Sequence, residues 1–211
     1  MTKPFVQNDP RGVKSTSKMF RALGTINTIQ AFDAACTEAL ERASQRVLEL
    51  DDKLSAFKPE SEIARLNAQA GRTAVSVSAD TMALLMAGRA YSAETGGAFS
   101  MTTRPLTMLW SLNASCGTVP DRTEIERALL LVNDEDLQLD PKRGTAMLVH
   151  QEQAVDLGGI AKGYAADEVK RILMEHGVMN AIANLGGTVF ILGDTRVVGI
   201  QHPDHCTGIS M

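Results

Sequence analysis

Apolar residues recur every three or four positions in several stretches of the chain, which is the spacing of one helix face. The longest stretch predicts an amphipathic helix over 33–54, with a solvated charged face opposite the apolar one. Another helix is predicted after Ser78, a suitable N-cap residue, and another over 160–176, where Gly177 would end it. Shorter helices are predicted over 61–67, with Ser61 as N-cap, and over 124–131.

Short or alternating apolar runs between these helices predict strands. The run T-I-N-T-I within 20–32 alternates, and P-K-R-G is typical of a hairpin turn between strands at 138–140 and 147–150. Further strands are predicted at 75–77, 181–185, 189–192 and 196–200, a loop at 113–123, and a core position for Trp110. Because helices and strands mix without regular alternation, the sequence predicts an α+β fold.

Composition narrows the class of protein. With 211 residues and 44% hydrophobic content, the chain can bury a core. A net charge of −4 and a pI near 5.6 argue against broad binding of nucleic acid or anionic membranes. Three widely spaced cysteines (Cys36, Cys116 and Cys206) predict free thiols. The polar composition of residues 1–18 predicts a flexible arm. These residues contain no run typical of a signal peptide, and the sequence contains no predicted membrane segment, so we expect a cytoplasmic protein.

The segment from Asp156 to Asp167, D-L-G-G-I-A-K-G-Y-A-A-D, carries the most informative chemistry. It places an acid, paired glycines and Lys162 at the start of a predicted helix. Helix N-termini favour anions, and glycines let phosphate oxygens approach the main chain. The segment matches neither G-x-x-x-x-G-K-[ST] nor G-x-G-x-x-G. Two interpretations stay open on these residues: a phosphate or nucleotide site, and a glycine turn whose lysine is solvated.

Four further strings accompany this segment in order: A-L-G-T-I-N-T-I near residue 25, L-S-A-F-K-P-E-S-E-I-A-R-L-N at 54–67, T-G-G-A-F-S-M-T-T-R-P-L at 95–106, and N-L-G-G-T at 184–188. Together the five resemble the ApbE family over residues 19 to about 203. That family comprises flavin transferases that move FMN from FAD onto a threonine of a target flavoprotein with Mg²⁺. The resemblance implies a transferase domain over 19–211, with FAD as substrate, Mg²⁺, and an acceptor flavoprotein as partner.

The resemblance also assigns site residues. Lys162 is implied as the catalytic residue, because it would neutralise charge as the FAD pyrophosphate breaks. Gly159 is implied as a metal ligand through its backbone carbonyl. The implied FAD contacts are Leu23, Phe57, Ala98, Phe99, Ser100, Asp156 and Lys162. Two of these have other roles open: Phe57 could fill core instead of stacking on a planar ring, and Asp156 could cap the helix.

The chain departs from the family pattern at three places. Ser100 and Thr188 stand where relatives have aspartate. The family's C-terminal metal-binding segment has no counterpart up to Met211, so we expect a C-terminally incomplete ApbE-like sheet. His202, before proline, is interpreted as structural or exposed rather than as a catalytic base. Two alternatives to the transferase stay open: a flavin-binding or interaction module without the metal site, and a fragment whose strand edges need a partner or a homo-oligomer.

Overall fold

A computed structural model of the protein describes residues 15–33, 36–110, 119–201 and 209–210. The helices are α1 (Thr37–Leu54), α2 (Glu62–Ala68), α3 (Ala79–Glu94), α4 (Arg104–Leu109), α5 (Arg122–Leu129) and α6 (Ala161–Glu175), with a 3₁₀ turn at Asp134–Asp136. The strands are β1 (Thr16–Ala22), β2 (Thr25–Ala31), β3 (Val75–Ser76), β4 (Leu137–Asp140), β5 (Thr145–Leu148), β6 (Ala181–Leu185), β7 (Thr188–Leu192), β8 (Ile200–Gln201) and β9 (Ile209–Ser210). Helices and antiparallel strands mix as predicted, which confirms the α+β class.

The main sheet runs in the order β1-β2-β6-β7, and every neighbouring pair is antiparallel. Its two hairpin turns lie at the same end of the sheet, because Asn27 of β2 pairs with Leu185 of β6. One turn is formed by Leu23 and Gly24, both with positive φ (52° and 72°), the two-residue turn that matches strand twist. The other is Gly186-Gly187, where a Cβ on Gly186 would lie 2.5 Å from the Thr25 hydroxyl. Glycine is therefore required where the two turns touch.

An apolar core lies between the main sheet and the helices α1 and α6. The apolar stripe predicted for α1 is buried, including Ala43, Val47 and Leu50 at 0% exposure. A second sheet, in the order β3-β5-β4, packs with α2 and α3 and contributes Leu137 and Leu148 to the same core. Within the described part of the chain, no helix is both long and apolar enough to cross a bilayer.

Most of the predicted helices begin and end within a few residues of the observed helices. Ser61 caps α2 by accepting the Ala64 N–H at 2.9 Å. Ser78 precedes α3, but its hydroxyl bonds to Glu62 instead of capping the helix. The α5 helix starts at Arg122, two residues before the predicted start and inside the predicted loop, because Asp121 and Glu124 form a capping box.

Three sequence predictions need correction. Trp110 is 44% exposed rather than in the core, because it is the C-cap of the short surface helix α4. Of the strand predicted over 196–200, Ile200 alone is in a strand. Residues 16–18 of the arm predicted over 1–18 belong to β1 instead, and Lys18 pairs with Glu41 at 2.7 Å. Predictions for residues 1–14, Cys116, His202 and Cys206 lie outside the described residues.

Candidate functional site

The Asp156 carboxylate organises the turn that leads into α6. Its Oδ1 accepts the Gly158 N–H at 2.8 Å, and its Oδ2 lies 3.3 Å from the Arg104 guanidinium. The Lys162 ammonium donates to the Gly158 carbonyl at 3.3 Å. The acid, the glycine turn and the lysine therefore lie together, as the sequence predicts. Asp156 therefore binds within the turn and does not cap α6, whose N-cap residue Ile160 has no side-chain cap. Its second carboxylate oxygen points to another part of the chain.

Two distant segments hold Asp156 in place. Asn67 clamps the buried Val155 main chain by donating to its carbonyl (2.9 Å) and accepting its N–H (2.7 Å). The Asp156 N–H donates to the Met101 carbonyl at 2.8 Å, and the Met101 N–H donates to Asp134 at 3.0 Å. Buried backbone groups that are paired in this way resist displacement. The strings at 54–67 and 95–106 thus serve as anchors for the glycine segment.

The A-F-S residues pack beside the glycine turn. A Cβ on Gly159 would lie 3.0 Å from the ring of Phe99, so this position leaves little room for a side chain. The Phe99 ring also meets Tyr91 edge-on at 6.2 Å. The Ser100 hydroxyl oxygen lies 3.0 Å from the Thr102 hydroxyl oxygen and accepts the Thr102 N–H at 3.1 Å. Ala98 is exposed. Phe99 and Gly159 are therefore in contact, whereas the Ser100 hydroxyl is engaged locally.

Phe57 is not a core residue. Its side chain is 70% exposed, and the Arg104 guanidinium carbon lies 4.5 Å from its ring centroid. Arg104 also donates to the Ala56 carbonyl at 3.2 Å. Arg104 is not among the site residues predicted from the sequence, although it lies within the string at 95–106. The signal available in the sequence was a lone cation in a string that otherwise carries small, hydroxyl and apolar residues.

Leu23 is linked to the loop that carries Phe57 through helix α1. Its N–H donates to the Asp51 carboxylate at 2.9 Å, and Asp51 also pairs with Lys58, the residue after Phe57. Hydrogen bonds from Lys58 to Asp51 and then to Asp52 raise the pKa of the Lys58 ammonium. The β1–β2 turn and the Phe57 loop are therefore tied to the same helix. Thr188 lies at the adjacent β6–β7 turn.

An ion-pair network holds α6 against α1 and α3. Asp80 of α3 binds Arg46 in two places, Lys53 at 2.8 Å and the Tyr164 hydroxyl at 2.9 Å, and Arg46 also binds Glu168 at 2.8 Å. The Arg46 hydrogen bonds hold the pKa of Asp80 well below its usual range. Bonds from Arg171 and then Arg46 lower the pKa of Glu168. Burial, with the bond to Asp80, raises the pKa of Tyr164.

The donors for a magnesium ion are incomplete within the described residues. Mg²⁺ prefers octahedral oxygen ligands, normally including one or two carboxylates. In the part of the chain that the structure describes, no three His, Cys, Asp or Glu side chains group as a metal cluster. Gly159 could offer its carbonyl, but Ser100 offers no charge. These residues alone do not fit the ion, so its binding at Gly159 stays a prediction.

A match to a protein-family model assigns this chain to a family. The model of the ApbE family matches residues 23–211. This chain belongs to the ApbE family. Among its curated relatives, an FAD:protein FMN transferase of Klebsiella pneumoniae is 34% identical over 167 residues, covering 79% of this chain and 52% of the relative. One of Treponema pallidum with the same name is 29% identical over 210 residues, covering 93% and 58%.

A solved structure agrees with the fold. The ApbE protein of Thermotoga maritima superposes with a TM-score of 0.83 at 28% identity, covering 91% of this chain and 65% of that one. The chain thus spans just over half the length of these two curated ApbE relatives. The sequence resemblance is confirmed at the level of family and fold. Contact of the eight predicted site residues with a ligand stays a prediction.

Proposed function

We propose that this chain binds FAD and acts as an FAD:protein FMN transferase. Family membership supports the substrate class, since the two curated relatives described above carry that name. The observation that carries the proposal is that Phe99, Asp156 and Lys162 contact one glycine turn and that Arg104 links Phe57 to Asp156, although these residues come from three separate strings. That arrangement offers aromatic surface and a cation side by side, which suits a ligand with rings and a pyrophosphate.

The α6 N-terminus and Lys162 are the proposed pyrophosphate contacts. The Lys162 bond to Gly158 is long, at 3.3 Å, and an ammonium has three donors, so the side chain can turn toward an anion. The Gly163 position supports this, because a Cβ there would meet nothing within 4 Å. Alanine would favour the helix by about 1 kcal/mol, so packing does not explain the glycine. A ligand that approaches the first turn of α6 would explain it.

In the proposed reaction, the hydroxyl oxygen of an acceptor threonine attacks the FMN phosphorus of FAD. A bond from the threonine oxygen to phosphorus forms, the phosphoanhydride bond breaks, the hydroxyl proton is released, and AMP leaves with the electron pair. Lys162 stabilises the negative charge that develops on the bridging oxygen. The described donors do not complete a magnesium site, so the charge at the phosphorus is neutralised in this proposal by Lys162 alone.

A flavin-binding module without transfer activity is the second candidate. It is favoured by Ser100, which supplies no charge where relatives have aspartate and whose hydroxyl is bonded to Thr102. A flavin-fluorescence titration with FAD, with and without Mg²⁺, followed by an assay of AMP release with an acceptor, separates the two. Transfer that requires Mg²⁺ supports the transferase, binding without transfer supports the module, and no binding contradicts both.

Lys162→Ala tests the phosphate contact. We expect FAD affinity to fall roughly 10- to 100-fold, the range for loss of a charge-assisted hydrogen bond. Lys170→Ala is the matched control, because Lys170 is exposed on the same helix. Equal affinity of the Lys162 and Lys170 variants for FAD would remove Lys162 from the site.

A further inference from the structure

Arg104 joins three of the motif segments through one side chain. Its guanidinium binds the Asp156 carboxylate (3.3 Å) and the Ala56 carbonyl (3.2 Å), and it lies over the Phe57 ring (4.5 Å). The side chain is 14% exposed, so it is enclosed by these groups and is not a solvated surface charge. The residues it joins are 48 and 52 positions away along the chain. Those residues belong to the strings that predict the site.

The backbone around Arg104 is fixed, which makes its position a property of the fold. Arg104 begins α4, and Pro105 follows it in the first turn, where proline restricts the chain without losing a needed donor. The Thr107 N–H donates to the Thr103 carbonyl at 3.0 Å across that turn. The guanidinium is planar and carries five donors in a rigid fork, so it can hold a carboxylate and cover a ring at once.

The Phe57 ring is held but not buried. One face is under the guanidinium, and an exposure of 70% leaves the other face open. The Ser55 hydroxyl accepts the N–H groups of Phe57 (3.1 Å) and Lys58 (3.2 Å), which fixes the loop that carries the ring. A ring fixed on one face and open on the other is prepared to stack on a flat group.

The Asp156 carboxylate is oriented by the same cation. The Gly158 N–H binds one oxygen and Arg104 binds the other, so the plane of the carboxylate is determined. Its side chain is still 32% exposed, so it remains accessible to a ligand beside the ring. A single guanidinium thus sets the ring and the acid relative to each other.

We propose that Arg104 is a positioning residue of the FAD site, which orients the Phe57 ring and the Asp156 carboxylate for the planar ring and polar groups of the ligand. The inference rests on the proposed function, because it requires FAD to bind here. It differs from a purely structural tether in one respect: the effect of Arg104 on binding must pass through Phe57 and Asp156.

A double-mutant cycle with FAD as the probe tests this. We expect Arg104→Met to weaken FAD binding at least 10-fold and Arg104→Lys to remain several-fold weaker than wild type, because lysine keeps the charge but lacks the planar fork. In a Phe57→Leu background, the loss caused by Arg104→Met is expected to be smaller than in wild type, because only the part that passes through Asp156 remains. Arg122→Met is the control, since Arg122 also pairs with a carboxylate but is 91% exposed.

The outcomes separate the two proposals. If wild type does not bind FAD, the proposed function fails and the role of Arg104 falls with it. If wild type binds and Arg104→Met binds within twofold, the positioning role alone is overturned. An equal loss in the wild-type and Phe57→Leu backgrounds would also overturn it, because a tether would act without the ring. Thermal melts of each variant identify any that fails to fold, and Arg104→Lys then carries the cycle in place of Arg104→Met.

Discussion

Replacing Asp80 by asparagine removes the charge that three helices share. The carboxylate of α3 binds Arg46 and Lys53 of α1 and the Tyr164 hydroxyl of α6, and its side chain is 14% exposed. Asparagine has nearly the same volume, so packing is preserved. It replaces one acceptor oxygen by an NH₂ group, however, which would face the donors of Arg46 or Lys53. The substitution therefore tests the charge and not the space.

The expected cost follows from how much of the network survives. Breaking a buried pair costs about 3–5 kcal/mol when the partner is left uncompensated. Arg46 keeps its bond to Glu168 at 2.8 Å and is 19% exposed, so the penalty is smaller. Hydrogen bonds to charged groups contribute about 1.5–3 kcal/mol each and are not additive, so we expect a loss of about 2–3 kcal/mol. For a chain of 211 residues, this lowers Tm by about 4–12 °C.

The pH dependence of this loss has a defined sign. Arg46 lowers the pKa of Asp80 in the folded state. A depressed pKa contributes stability above the unfolded value of about 3.9, and that contribution is lost as pH falls toward the folded value. Below about pH 4, the advantage of wild type over Asp80→Asn should therefore shrink by about 1.4 kcal/mol per pH unit. Urea unfolding of both proteins between pH 7 and pH 3 measures it.

Two results would refute this reasoning. A Tm for Asp80→Asn within 1 °C of wild type at pH 7 would mean that the network contributes little. A difference in the free energy of unfolding that stays constant from pH 7 to pH 3 would mean that the charge is not its cause. Glu126→Gln is the control, because its pair with Arg122 is exposed and should contribute no more than about 1 kcal/mol.

Two further predictions concern packing and the support of Asp156. Gly88→Ala places a Cβ 2.0 Å from the sulfur of the fully buried Met101, so we expect a loss of about 1–3 kcal/mol in chemical denaturation; Gly163→Ala, with open space around its Cβ, should instead stabilise its helix. Equal stability of these two variants would contradict the packing account. Asn67→Ala leaves the buried Val155 N–H and carbonyl without their partners, and we expect a loss of at least about 2 kcal/mol with weaker FAD binding; unchanged unfolding and FAD titrations would show that the clamp is dispensable.

The local features of the candidate site could be predicted from the sequence. Asp156, the glycine turn and Lys162 lie within seven positions of one another, and short-range hydrogen bonds set their arrangement. The α6 helix follows from its apolar periodicity and ends one residue before the predicted end. The Ser61 cap was predictable for the same reason, because capping depends on a residue three positions away. In each case, the interactions that decide the structure are close in sequence.

The exposure of Phe57 and the position of Arg104 could not be predicted in this way. An aromatic residue in a string of mixed apolar and polar residues is compatible with core or surface, and here the guanidinium covers only one face of the ring. Trp110 shows the same ambiguity, and there the core prediction was wrong. Arg104 meets Asp156 because the Met101 carbonyl and the Asp156 N–H join their segments at 2.8 Å. That contact depends on chain folding across about 55 residues.

The amino-acid sequence by itself determined five of the six helices of the described residues (all but α4), most strands, the glycine turn with its acid and lysine, and the family. These follow from periodicity, capping and motif residues, which act over a few positions. The tertiary structure alone decided which motif segments meet: Leu23 with Asp51, Phe57 with Arg104, and Phe99 with Gly159. Those contacts bring together residues 28 to 60 positions apart, and burial of the common core, not any local preference, holds them there.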